Sequence, residues 1–297
     1  MIQELLRAEP ELFRGLGAAA RLALYALALG AAGLALFDLG FGRRLPAGER
    51  ARLRRVGAFL AAGGAVAALA WLATQVGLAS DGDVLDTEVW RLLAAMPPGL
   101  SVAAALAGFA VLGFGMARPA PGAALAQVTG IIIVAVSFAL VGHTTQHAPR
   151  LLLAGTLVVH LLGAAFWLGG LWPLARAARV QRPEQAAHLV EAWARAASVI
   201  VPILSVVGLV LAWAIVGSLE ALFGTRYGWT LLAKVALVSV LLSFAAWHRF
   251  RLTPDLAAGV PGAGPRLSRS IIAETAVMAL VLWAVSELTA TSPAGDG

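Results

Sequence analysis

The sequence predicts an all-α protein, a polytopic transmembrane helical bundle of about eight spans with both termini outside, and three observations carry that expectation. The 297 residues have a mean hydropathy of +0.84, with 60% hydrophobic and 13% charged side chains, which leaves too little polar surface to keep a globule of this size in water. The apolar residues gather into eight runs of about the length that crosses a bilayer. The runs lack the two-residue alternation of a barrel strand, so helices are the structure that satisfies their backbone in hydrocarbon. Finally, arginine is concentrated in alternate connections, as in a chain with a fixed orientation.

The elements follow in order. Residues 1–14 mix charged and apolar side chains without the basic start, short apolar core and cleavage site of a signal peptide, so we expect an interfacial segment. Residues 15–142 hold spans 1 to 4, in apolar runs at 15–38, 56–79, 99–117 and 122–142, with an amphipathic outer segment at about 80–98. Residues 143–297 hold spans 5 to 8, at 151–174, 197–219, 229–248 and 270–291. The connection 249–269 is rich in Pro and Gly and reads as a mobile loop. The connections after spans 1, 3, 5 and 7 carry 15 of the 22 basic residues, against 5 on the other side. That asymmetry puts the even-numbered connections outside. Trp90, Trp172, Trp193, Trp229 and Trp247 fall near span ends, where an indole sits well at the interface. Asp38 at the inner end of span 1 is expected to answer Arg43 or Arg44.

Composition also excludes functions. The net charge of +6 lies between apolar runs, where it reports orientation, and no nucleic-acid partner is expected. Cysteine is absent, which removes disulfides, thiolate metal sites and thiol catalysis. No phosphate loop, serine nucleophile motif or HExxH helix is present, and the expectation is a protein that is not an enzyme.

Ionisable groups inside a span are costly, so each needs a partner or a task. His143 ends span 4 on the outer side, His147 follows in the connection HTTQHAPR, and His160 lies about ten residues into span 5. Ten residues of helix is about 15 Å, which puts His160 near mid-membrane. Three imidazoles along one inward route are candidate ligands for copper, zinc, iron or nickel; equally, they are satisfied interfacial and interior histidines. Lys234 and Glu287 come at similar depth near the outer ends of spans 7 and 8, and Glu274 comes level with His248 and Arg249 near the inner ends. Each set is a candidate ion pair fixing helix register, with a proton relay as the alternative. Met96, Met116 and Met278 form no thioether cluster.

Several segments carry a resemblance. His160 opens HLLGAAFWLGGLWPLARA, with Trp167, Gly169 and Gly170. Gly224, Thr225, Tyr227, Gly228, Lys234, Arg249, Arg251, Leu252 and Pro254 punctuate LFGTRYGWTLLAKVALVSVLLSFAAWHRFRLTP. Arg269, Ser270 and Glu274 mark the last span, and Gly142-His143 ends span 4. In this ordered set the sequence resembles the copper-resistance protein D (CopD) family of bacterial inner-membrane proteins. The first half is a looser match: Tyr25 stands where that family has a histidine, and His248 where it has asparagine. The resemblance implies copper homeostasis in the inner membrane, with a copper ion, Cu+ or Cu2+, moving from periplasm toward cytoplasm, sometimes with a small periplasmic copper-binding partner. His143 and His147 would then capture the ion and His160 pass it inward. Two other readings stay open: a haem-binding electron-transfer protein with axial histidines, and a non-transporting protein that delivers copper to a partner.

Overall fold

Apolar segments that cannot leave backbone groups unpaired in hydrocarbon fold here as long helices. The structure, a computed structural model, describes residues 2–118, 120–142 and 149–289, with side chains from residue 11 onward. In order, the α-helices are α1 (Ile2–Phe41), α2 (Ala47–Ala79), α3 (Thr87–Ala95), α4 (Pro97–Ala117), α5 (Ala123–Ala139), α6 (Arg150–Val180), α7 (Pro183–Val216), α8 (Leu219–Gly224), α9 (Arg226–Trp247), α10 (Thr253–Ala257) and α11 (Ala263–Leu288). Among the described residues seven helices are long and apolar enough to cross a membrane, and α5, at 17 residues, is a shorter apolar eighth. Its fall short of the expected run at 122–142 has a local cause. The chain leaves the helix after Ala139 and turns at Gly142, whose φ is +94°.

Other expectations also change. The helices outrun the apolar runs at the arginine-rich end: α2 starts at Ala47 and α7 at Pro183, because arginine, alanine and glutamate are good helix formers and long cationic side chains can lie along a helix toward water. The segment 1–14 is continuous in backbone with the first span, as α1 runs unbroken from Ile2. The connection 249–269 is largely helical. α9 widens into a π-helical turn at His248–Leu252, passes into α10 and turns through Gly259 and Gly262, both at positive φ. α3 lies in the 80–98 segment, its first turn capped by Asp86, whose carboxylate accepts from the backbone N–H of Glu88 and Val89.

Two groups of helices make the bundle. α1, α2, α4 and α5 pack together, as do α6, α7, α9 and α11, and α1 joins them by lying along α6 and touching α11. The joint depends on glycine. A Cβ on Gly33 of α1 would come 2.7 Å from the Gly169 Cα of α6, so the two backbones meet directly. Pro173, one turn beyond, has no N–H to give the Gly169 carbonyl. Glycine also lets α4 and α5 close up, at Gly108 against Val134 and Gly130 against Leu112. The outside is apolar: α7 exposes Val199, Ile203, Val206 and Val210, a single helical stripe that faces lipid.

Charge ties the arginine-rich end. Asp38 is only 2% exposed. It accepts from Arg50 Nε at 2.6 Å and from Gln127 Nε2 at 3.2 Å, with Arg54 at 3.9 Å. Arg43 and Arg44, its expected partners, do not reach it, since the 3-10 turn Gly42–Arg44 swings them outward and α2 returns antiparallel with Arg50 over Asp38. Arg54 also caps α4, donating to the carbonyls of Gly115, Met116 and Arg118. Arg176 of α6 pairs with Glu49 of α2. Trp193 is no interfacial anchor, for it stacks on Phe166 inside the bundle with ring centroids 5.3 Å apart.

Candidate functional site

Two of the cavities among the described residues hold buried ionisable side chains of the bundle, one toward each end. The first, of about 330 Å³, opens toward the end away from the arginines and lies between α1, α2, α5, α6, α7, α9 and α11; Arg21, Tyr25, Trp71, His160, Tyr227, Lys234 and Thr289 are its polar side chains. The second, of about 190 Å³, lies toward the arginine-rich end between α6, α7, α9 and α11, and includes Trp193, Pro202, His248, Arg249, Thr253 and Glu274.

His160 is placed by α6, ten residues from Arg150, and thus about 15 Å along that helix. Its ring lies against α7, where a Cβ on residue 208 would come within 3.0 Å of the imidazole Cε1. Gly208 therefore makes the room that the ring occupies. Nδ1 of His160 is buried without a hydrogen bond of good geometry among the described residues, and the ring's one polar neighbour there is the Leu204 backbone of α7. A satisfied interior histidine would have both nitrogens engaged.

Lys234 faces the same cavity from α9. It does not pair with Glu287. Lys234 lies eight residues, about 12 Å, into α9, whereas Glu287 is one residue from the end of α11, so their depths differ by about 10 Å. Equal distance from the ends of apolar runs did not mean equal distance from the ends of the helices. His143 and His147 lie outside the described residues. The chain on either side of them is at the first cavity's end of the bundle, where Gly142 lines the cavity and α6 begins at Arg150.

In the second cavity the structure brings together Glu274 and His248. The Glu274 carboxylate is buried. Its Oε1 accepts from Trp167 Nε1 at 2.7 Å and its Oε2 stands 3.4 Å from His248 Nδ1, while His248 Nε2 is 2.8 Å from Ser270 Oγ. These four side chains come from α6, α11 and the π-helical turn that follows α9. The π-helical turn that starts at His248 is the irregularity beside them, and such turns often accompany sites that need a side chain re-aimed. Pro202 of α7 leaves the Ser198 carbonyl without its helical donor beside the same space. Arg249, the other expected neighbour of Glu274, lines the cavity without forming an ion pair to it.

The partition between the cavities is thin and apolar. Along α11, Glu274 lines one and Met278 the other, which is one helical turn, about 6 Å. Along α6, Leu168 and Leu171 stand on the two sides.

A resident transition-metal site needs several converging ligands. Among the described residues no three His, Asp or Glu side chains converge. His160 is the only imidazole among the described residues that line its cavity, where Met278, Tyr25 and Tyr227 are the other side chains able to meet a metal. Sequence reasoning passed over Arg21 and Trp71. Arg21 had a signal, being an ionisable residue within an apolar run; Trp71, eight residues before the end of α2, had none.

Comparison with family models gives two matches. Residues 14–151 match "Copper resistance protein D-like, N-terminal domain" and residues 187–288 match "Copper resistance protein D". All but the first residues of α6, with His160, lie between the two matched stretches. Comparison with curated proteins and with solved structures gives no match.

Proposed function

The chain belongs to the copper resistance protein D family, as a multi-pass inner-membrane protein with a copper-handling role, and from that premise we propose that it passes copper from the periplasm toward the cytoplasm through the two cavities. In this reading the arginine-rich end is cytoplasmic, both termini are periplasmic, and the first cavity opens outward. His143 and His147 capture the ion at the mouth and His160 takes it at mid-depth. The Glu274–His248 pair receives it beyond the partition, a carboxylate and an imidazole being able to share a cation that neither would hold alone. The observation that carries the proposal is the buried imidazole of His160, with no side-chain partner among the described residues, facing a cavity in the middle of the bundle.

A single imidazole at each stage keeps binding weak enough for release. The imidazole set suits copper and zinc alike, and it is family membership that favours copper. The chain catalyses no reaction in this reading. Its partners are the bilayer and a small periplasmic copper-binding protein that presents the ion to the mouth. The test is copper accumulation in sealed proteoliposomes. His160→Ala should remove most of the accumulation while leaving the protein monodisperse, and accumulation equal to wild type would take His160 out of the route. A protein that binds copper but never accumulates it in vesicles would instead be a delivery protein.

A further inference from the structure

The first cavity has a charge that a route for bare metal cations does not explain. Arg21 and Lys234 both line it, and among the described residues neither has a carboxylate partner and Nη1 of Arg21 is buried with no hydrogen-bond partner. No Asp or Glu is among the described residues that line it. Two basic side chains in a low-dielectric interior are costly to leave uncompensated, and the Arg21 guanidinium, with a buried N–H that has no acceptor among the described residues, is a strong donor in want of one. Copper entering without a counter-ion would add positive charge to positive charge. An anion would answer both groups.

The size of the cavity narrows the kind of anion. About 330 Å³ is roughly ten times the share of liquid volume that one water takes and lies in the range of small-molecule pockets. A halide would leave most of it empty. The walls between the polar groups are apolar, from Leu157, Leu211, Ile215 and Leu282, and suit a carbon body. The guanidinium fork matches the two oxygens of a carboxylate, with the lysine as a point charge.

We infer that the first cavity is a binding site for a small organic carboxylate, held at its head by Arg21 and Lys234 and along its carbon body by the apolar walls. The site goes beyond the copper reading, because its occupant is an anion and its binding needs no metal. The experiment is calorimetric titration of the copper-free, full-length protein in detergent with sodium hexanoate and sodium succinate, and with sodium chloride at matched ionic strength. Saturable binding of an organic acid is expected, with chloride at least about tenfold weaker. Arg21→Gln and Lys234→Gln should each weaken binding about tenfold or more, the loss of one charge-assisted hydrogen bond. Lys234→Arg keeps the charge and should stay within about threefold of wild type, so that a loss confined to the Gln variants reflects charge and not fold. His160→Ala should still bind the acid. The inference is overturned if neither acid binds saturably, if chloride binds as well as they do, or if both Gln variants bind like wild type. Acid binding without copper accumulation would leave this site standing and remove the transport reading; accumulation without acid binding would do the reverse.

Discussion

Glu274 shows how a membrane-buried carboxylate is made tolerable. At 2% exposure it has one oxygen on the Trp167 indole and the other beside His248, which is itself held by Ser270. Removal of the carboxylate strands the indole N–H and one imidazole nitrogen in an apolar interior. Glu274→Ala should therefore lower stability by about 1–3 kcal/mol, read as a lower midpoint of thermal unfolding in detergent, whereas Glu274→Gln, which can still accept from Trp167, should lose less. Equal losses would mean that only the charge matters. The Glu274–His248 proximity was legible in the sequence because both residues lie near the same connection, where helix ends leave little freedom in depth. Lys234 and Glu287 were not legible in that way, since the run at 229–248 starts three residues inside α9 whereas the run at 270–291 ends three residues past α11. The Arg50 clasp on Asp38 escaped for another reason: it depends on the direction in which a three-residue turn throws its side chains.

At the level of elements, the helices were legible as apolar runs and their ends were not. Helix propensity carries α2 and α7 past the hydrocarbon into basic sequence, and the Pro- and Gly-rich 249–269 stretch spends its prolines at the start of α10 and near the start of α11, where a missing N–H costs nothing. Which glycines matter was also hidden, because the sequence is dense in them. The structure separates them. Gly33 and Gly169 have each other's backbone where a side chain would go, while Gly155 has nothing within 4 Å. Gly33→Leu should accordingly separate α1 from α6 and yield a protein that elutes as aggregate or is degraded, and Gly155→Ala should behave as wild type in size-exclusion chromatography. A monodisperse Gly33→Leu protein would show that the close approach is dispensable.

At the level of the whole molecule, orientation is the property that the copper route depends on most and that arginine placement alone argues. The absence of cysteine makes it easy to measure. Asp83→Cys, in the exposed turn before α3, should be labelled in intact cells by a membrane-impermeant maleimide that reaches the periplasm; Ala258→Cys, in the turn after α10, should be labelled only after lysis. The opposite pattern would invert the molecule and make the second cavity the entrance. The Gly33–Gly169 contact has one more consequence, and it concerns time. The two glycines are separated by about 140 residues of chain, so at about 5–20 residues per second of synthesis α1 stays in the bilayer for roughly 7 to 30 seconds before its partner on α6 has been made. Through that interval the first helix of the protein presents a strip of bare backbone to lipid, or to whatever in the insertion machinery shelters it.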